Sequence, residues 1–287
     1  MQNVYTDILA DMSYNKFVVK ELLFVEYTCP IKDDQWSVWS QTDFIIHVLK
    51  GKKKLSVGDE SWMVEEGDTV YIRKGSFTMS QYFDKEFCMF GFFINDNFIK
   101  SIVEELKGRV AFVARAQHKN FSIRPIVSSP ILQGFFNSMI PFFRKEQSPS
   151  NLLLELKLKE LVVSFLTSNE NPELSSYFQA MVDLEKPSLQ SIMETNFSQN
   201  LTLTEYAELC HRSLSSFKRD FQASYGTTPG KWLIDRRLQF AKNLLINEDL
   251  TIAQIAYQSG FENSSHFSRS FKEVYGKTPS DHRLSRG

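Results

Sequence analysis

Cysteine is scarce in this chain: three residues among 287, Cys29, Cys88 and Cys210, far apart and odd in number. No CxxC pair and no Cys/His ligand spacing occurs, which excludes a disulfide framework and a zinc site and leaves buried thiols in a reducing compartment. Long apolar runs are missing too, and Met1–Ala10 has no basic stretch followed by an apolar one. A membrane span and a secretory leader are therefore not expected, and the expected location is the cytoplasm. There is no glycine-rich phosphate loop, no metal triad and no nucleophile with a base close by, so no enzyme and no cofactor are implied. Charge of one sign is absent as well. Lys+Arg total 33 against 34 Asp+Glu, a net charge of −1, which argues against indiscriminate nucleic-acid binding. The last third is slightly basic and the rest slightly acidic, a weak asymmetry between two halves.

What the chain does have is apolar bulk. It is 42% hydrophobic and holds 25 phenylalanines, enough to build real cores. Its length allows two domains at roughly 100–200 residues each. From about Lys16 to Ile94, β-branched and aromatic runs (Phe17–Val19, Phe44–Leu49, Leu55–Val57, Thr69–Ile72) alternate with turn residues at Gly51, Gly58-Asp59, Glu66-Gly67-Asp68 and Lys74-Gly75-Ser76. Short strands at this spacing predict a sandwich or small barrel. Helical periodicity follows over Phe98–Leu106, Pro130–Phe143 and Asn151–Thr167. The apolar stripe of Asn151–Thr167 is broad, which suits a domain core or half of a dimer interface. Ser168–Pro187 begins and ends polar and reads as a linker, with a short helix around Tyr177–Leu184.

The last hundred residues contain one pattern twice. Leu201-Thr202-Leu203 with Tyr206-Ala207 reappears 49 residues on as Leu250-Thr251-Ile252 with Ile255-Ala256. Phe217, Arg219, Phe221, Tyr225, Gly226, Thr228 and Pro229 reappear 50 residues on as Phe267, Arg269, Phe271, Tyr275, Gly276, Thr278 and Pro279. Such agreement marks a repeated supersecondary unit. In the first copy, Thr202 and Glu205 have capping-box spacing, a short helix runs to about Cys210, and His211-Arg212-Ser213 makes a turn. Ser213 caps a second helix, which Gly226 and Pro229 end. Phe217 and Phe221 face inward and leave Ser215, Ser216, Lys218 and Arg219 outside. In the second copy Thr251 caps the first helix, Ser259–Glu262 turns, and Asn263 or Ser264 caps the next. Phe267 and Phe271 turn inward and leave Ser264, Ser265, His266, Ser268 and Arg269 outside. This is a helix-turn-helix made twice, whose second helix suits a major groove. A long helix from about Gly230 to Leu245 joins the copies and offers Lys231, Arg236, Arg237 and Lys242 to phosphates. Double-stranded DNA is the expected partner. For the arginines the alternative is plain surface charge, and for the serines a simple role at helix starts.

The stretch Asp249–Pro279, with its Ile-Ala, Gly-Phe, Phe-Ser-Arg, Phe-Lys and Gly-x-Thr-Pro elements, carries a resemblance. From about Ser188 to His282 the chain resembles the DNA-binding domain of the AraC/XylS family of bacterial regulators. The resemblance implies seven helices and two recognition helices entering successive major-groove segments on one face of DNA. It departs at His211-Arg212, where relatives often carry glycine in the turn, and this bears on the angle of the first recognition helix.

More loosely, Gly51–Gly75 is similar to the family's cupin-like sensing barrels, without their metal-binding histidines and glutamate. His47 alone lies near the relevant strand, as a core or surface residue rather than a ligand. The expected architecture is thus α+β in two domains: residues 1–170 a cupin-like β-barrel with helices for sensing and dimerisation, 171–187 a linker, and 188–287 an all-α domain with two helix-turn-helix units. Trp36, Trp39, Trp62, Phe44, Phe77, Tyr82 and Phe90 are expected in the barrel core or lining a ligand pocket. By analogy with the family, the expected function is transcription regulation, activation rather than repression. A small-molecule effector or a regulatory protein bound to the first domain would control it, RNA polymerase would be a partner, and a homodimer is possible. The rival reading is a cupin-type enzyme carried to DNA by the second domain; loss of a reaction on mutating His47 would mark it.

Overall fold

The structure is a computed structural model that describes residues 2–28, 35–58, 60–81, 86–113, 121–144, 149–182, 189–246 and 250–284. The chain divides into two compact units, residues 2–185 and 186–287.

The first unit has two sheets. One runs in the order β1 (Gln2–Asn3), β4 (Gln35–Ser40), β9 (Gly75–Gln81), β6 (Lys52–Val57), β7 (Glu60–Glu65). The other runs β11 (Ile123–Ile126), β8 (Thr69–Ile72), β5 (Asp43–Lys50), β10 (Cys88–Ile94), β3 (Leu22–Thr28), β2 (Asn15–Val19). The second sheet is apolar on both faces, and its period-2 alternation sorts the side chains. Leu22, Phe24, Ile45, Tyr71, Phe90 and Phe92 point to one core, which they share with α2 (Asp96–Leu106), α3 (Pro130–Phe143), α4 (Asn151–Thr167) and α5 (Pro172–Val182). Leu23, Val25, Phe44, Ile46, Val48 and Phe93 point to the other core, against Val38, Leu55, Val64 and Phe77 of the first sheet and Tyr5 and Ile8 of α1 (Val4–Ala10).

The expected closed cupin barrel is not what forms. Both sheets are open, ending at β1 and β7 in one and at β11 and β2 in the other. The reasons lie in the edges. β1 has only two residues, and β11 carries Pro125, which cannot donate to a neighbouring strand. β7 turns Glu60, Ser61, Met63 and Glu65 to solvent. Charged and shortened edges resist further pairing. Phe44 and Phe77 are buried between the two sheets and Phe90 in the core shared with the helices, rather than inside a barrel; Trp39 is buried and Trp62 half-buried. Cys29, Tyr82 and the side chain of Trp36 lie outside the described residues, whereas Cys210 is buried and Cys88 half-buried, each as a thiol.

A polar hub ties this unit together. The fully buried Asp43 carboxylate accepts from the Tyr71 hydroxyl at 2.6 Å, the Tyr177 hydroxyl at 2.7 Å and the Lys74 backbone N–H at 2.8 Å. Desolvation raises the pKa of both phenols, so they remain donors. Tyr177 lies on α5, which places residues 172–182 of the expected linker inside the core, with Leu174 and Phe178 fully buried. The rest of that segment, 183–187, lies outside the described residues.

The second unit has seven helices among its described residues: α6 (Leu189–Asn196), α7 (Leu203–Leu209), α8 (Leu214–Tyr225), α9 (Pro229–Leu244), α10 (Ile252–Gln258), α11 (Ser264–Tyr275) and α12 (Pro279–Leu284). Their ends follow local chemistry. Thr202 with Glu205 and Thr251 with Gln254 each close a capping box. Ser213 accepts from Ser216 N–H, and Asn263, rather than Ser264, caps α11 by accepting from His266 N–H. Gly226 and Gly276 stop α8 and α11 with left-handed backbones, φ +65° and +75°.

Candidate nucleic-acid interface

Each helix-turn-helix is built on buried phenylalanines. Phe217 and Phe221 are fully buried on α8, and Phe221 stacks on Tyr225 and meets Trp232 of α9 edge-on. Phe267 and Phe271 of α11 pack with Leu238, Ala241, Ile255, Ala256 and Phe261. Burying a side chain of this size is worth about 1.5–3 kcal/mol, which fixes the rotation of each helix about its axis. The opposite faces are thereby presented outward. Ser215, Lys218 and Arg219 are exposed on α8, with Ser216 half-buried at its margin; Ser265, His266 and Arg269 are exposed on α11, with Ser264 and Ser268 at the margin.

The two outer faces differ in charge: α8 carries Lys218 where α11 has Ser268, and it carries an acid that α11 lacks. On α8, Asp220 sits 3.4 Å from Arg219 and 3.1 Å from Arg212, and Arg219 also donates to the Ser216 hydroxyl at 3.3 Å. The matching residue on α11 is Ser270, which is buried. Asp220 did not stand out in the sequence, although it follows Arg219 directly.

The joining helix divides its cations. Lys231 is exposed near the start of α9. Arg236 is half-buried, paired with Glu194 at 2.9 Å and laid over the Phe197 ring at 4.3 Å, and Lys242 lies over the Tyr275 ring at 4.8 Å. Arg237, expected to hold a phosphate, instead turns its guanidinium inward. It donates to the Phe197 and Gln199 carbonyls, both at 2.6 Å, and burial pushes its pKa down. A guanidinium committed to carbonyls within its own domain is a structural tie rather than a phosphate contact.

In the first unit, His47 bonds Thr69 at 2.9 Å and stacks on Phe136 at 4.0 Å. Desolvation lowers its pKa to about 4, against the opposing pull of Asp68. Among the described residues no group of three His, Cys, Asp or Glu side chains is placed to hold a metal, and no helix is long and apolar enough to cross a membrane. A half-open cavity of about 550 Å³ lies beside α1, lined mainly by Val4, Ile8, Tyr14, Tyr27, Met79 and Met89, with none of the aromatic residues proposed from sequence.

Residues 43–177 match the family described as the ExsA N-terminal regulatory domain, and residues 206–285 the helix-turn-helix domain. The chain is 26% identical over 236 residues to the HTH-type transcriptional regulator ExsA of Pseudomonas aeruginosa, covering 82% of this chain and 84% of that protein. It is 25% identical over 270 residues to the thermoregulatory protein LcrF of Yersinia pestis, covering 93% and 97%, and to the virulence regulon transcriptional activator VirF of Yersinia enterocolitica over the same shares. Among solved structures, ToxT of Vibrio cholerae aligns over 92% of this chain and 98% of that one, at 15% identity and a TM-score of 0.41.

Proposed function

Because the chain belongs to the AraC/XylS family of sequence-specific DNA-binding transcriptional regulators, we propose that α8 and α11 are its reading heads and that it activates transcription under control of the first unit. Ser215, Ser216, Lys218 and Arg219 contact one major-groove segment, and Ser264, Ser265, His266, Ser268 and Arg269 the next. Lys231 and Arg236 hold phosphates, Arg236 by exchanging Glu194 for the backbone. Arginine forks onto guanine O6 and N7; serine and histidine read shorter and less selectively. Activation follows the printed role of the VirF relatives and implies contact with RNA polymerase in the bacterial cytoplasm, where the DNA is. The control input is a small molecule in the cavity beside α1 or a regulatory protein on the first unit. Self-association runs through α4, whose Leu152 and Leu156 remain 66% and 52% exposed while its other face fills the core.

The observation that carries this reading is the matched pair of capped helices with the same outer positions 50 residues apart. The experiment is selection of pooled random duplexes by the full chain over a range of salt. Enrichment of two half-sites about one helical turn apart supports the reading. Enrichment of no sequence overturns it and leaves the repeat as a scaffold.

A further inference from the structure

The tail of α6 is gripped from three sides. From within the first helix-turn-helix, the buried Tyr206 of α7 donates its hydroxyl to the Asn196 carbonyl at 2.6 Å. From the joining helix α9, Arg237 holds the next carbonyls, Phe197 and Gln199, while Arg236 and Phe240 pack on the Phe197 ring. From the second helix-turn-helix, the turn Gly260–Glu262 closes on the same segment. Gly260 approaches Ser198 so closely that a Cβ there would stand 2.6 Å from the Ser198 carbonyl oxygen and 2.9 Å from Arg237 Nε. Glu262 accepts from the Asn200 side chain at 2.9 Å. This turn immediately precedes Asn263, the cap of α11. Any shift of residues 197–200 against α9 is therefore carried into the start of the second recognition helix.

We infer that Arg237, Gly260 and the Asn200–Glu262 pair form a clasp that sets the separation and phase of the two recognition helices, and so the half-site spacing this regulator accepts. The inference rests on the reading of α8 and α11 as recognition helices. These are positioning residues, acting through α11 without touching DNA. Two rigid heads locked to one backbone segment read one spacing. Two heads free to rock read several, each with a weaker penalty for mismatch.

The test uses the full chain and the duplex that the wild type selects, together with versions carrying one or two base pairs inserted between the half-sites and versions retaining a single half-site. Wild type is expected to lose at least tenfold in affinity on a one-base-pair insertion. Arg237→Lys, which cannot span both carbonyls, and Gly260→Ala are expected to lose threefold or less on insertion, with single-half-site affinity held within twofold. If either unfolds, the exposed Asn200→Ala and Glu262→Ala variants carry the same comparison without risk to the core. An insertion penalty equal to that of wild type in all four variants overturns the clasp and leaves Arg237 a simple fold anchor. Failure of the wild type to select any duplex overturns the recognition reading and the clasp with it.

Discussion

His211 and Gly260 stand at the same place in the two helix-turn-helix turns, both with left-handed backbones, φ +52° and +87°. The first turn is made without glycine, by an exposed histidine, whereas the second is pressed against Ser198. A non-glycine residue in this region carries strain of roughly 1–2 kcal/mol, least for polar residues and most for β-branched ones. His211→Val should lower stability by about 1–2 kcal/mol in urea denaturation, while His211→Gly leaves it unchanged or slightly raised. Equal losses in both variants would mean that the imidazole, not the backbone, matters there.

The asymmetry between Arg219 and Arg269 predicts unequal costs. Arg269→Ala should weaken binding to the selected duplex by about 1–3 kcal/mol and relax one half-site. Arg219 is already drawn to Asp220 and Ser216, so Arg219→Ala should cost less. Fluorescence anisotropy on the two variants decides, and a larger loss at Arg219 contradicts this account.

Removing the Asp43 carboxylate strands two phenolic hydroxyls and a backbone N–H in the interior. Each unsatisfied buried donor costs about 1–3 kcal/mol. Asp43→Ala should therefore destabilise by more than 3 kcal/mol in chemical unfolding. Tyr177→Phe, which removes one donor and leaves the carboxylate two others, should cost about 1–2 kcal/mol.

His47 gives the first unit a pH dependence. Its folded pKa, about 4, lies below the unfolded value of 6.5. Between these values the unfolded chain binds the extra proton, so stability rises with pH. The contribution is fully present above about pH 6.5 and lost as pH falls toward 4. It amounts to roughly 2 kcal/mol once discounted for partial exposure. His47→Phe keeps a ring against Phe136 and should flatten the slope of melting temperature between pH 4.5 and 6.5. An unchanged slope would place the proton uptake elsewhere.

Self-association through α4 is checked by sedimentation. Leu156→Glu adds charge to a leucine that is half outside the core. It should shift the protein toward monomer without lowering its melting point. A species distribution equal to wild type would move the interface away from α4.

The second unit was legible because its information is local. Thr202, Ser213, Gly226 and Pro229 each act on backbone within a few residues, and the phenylalanine spacing names the buried face. Arg237 was misread because its carbonyl partners lie 40 and 38 residues away, beyond any periodicity. In the first unit, strands such as β5 and β8 and helices such as α4 showed in their patterns, but open or closed sheets depend on pairings between distant edges. Pro125 suits an edge strand, but the residues around it do not read as a strand in the first place. The polar start at Ser168 suggested a linker, while the aromatic residues of α5 found their partners across the whole unit.

The bond between Tyr177 and Asp43 spans 134 residues. A nascent chain leaving the ribosome thus carries a carboxylate site that only α5, the last helix of the first unit, completes. Until that helix emerges, Asp43 must stay hydrated or leave the sheet frayed around it. The first unit of this regulator consequently finishes folding late, just before the second begins to appear.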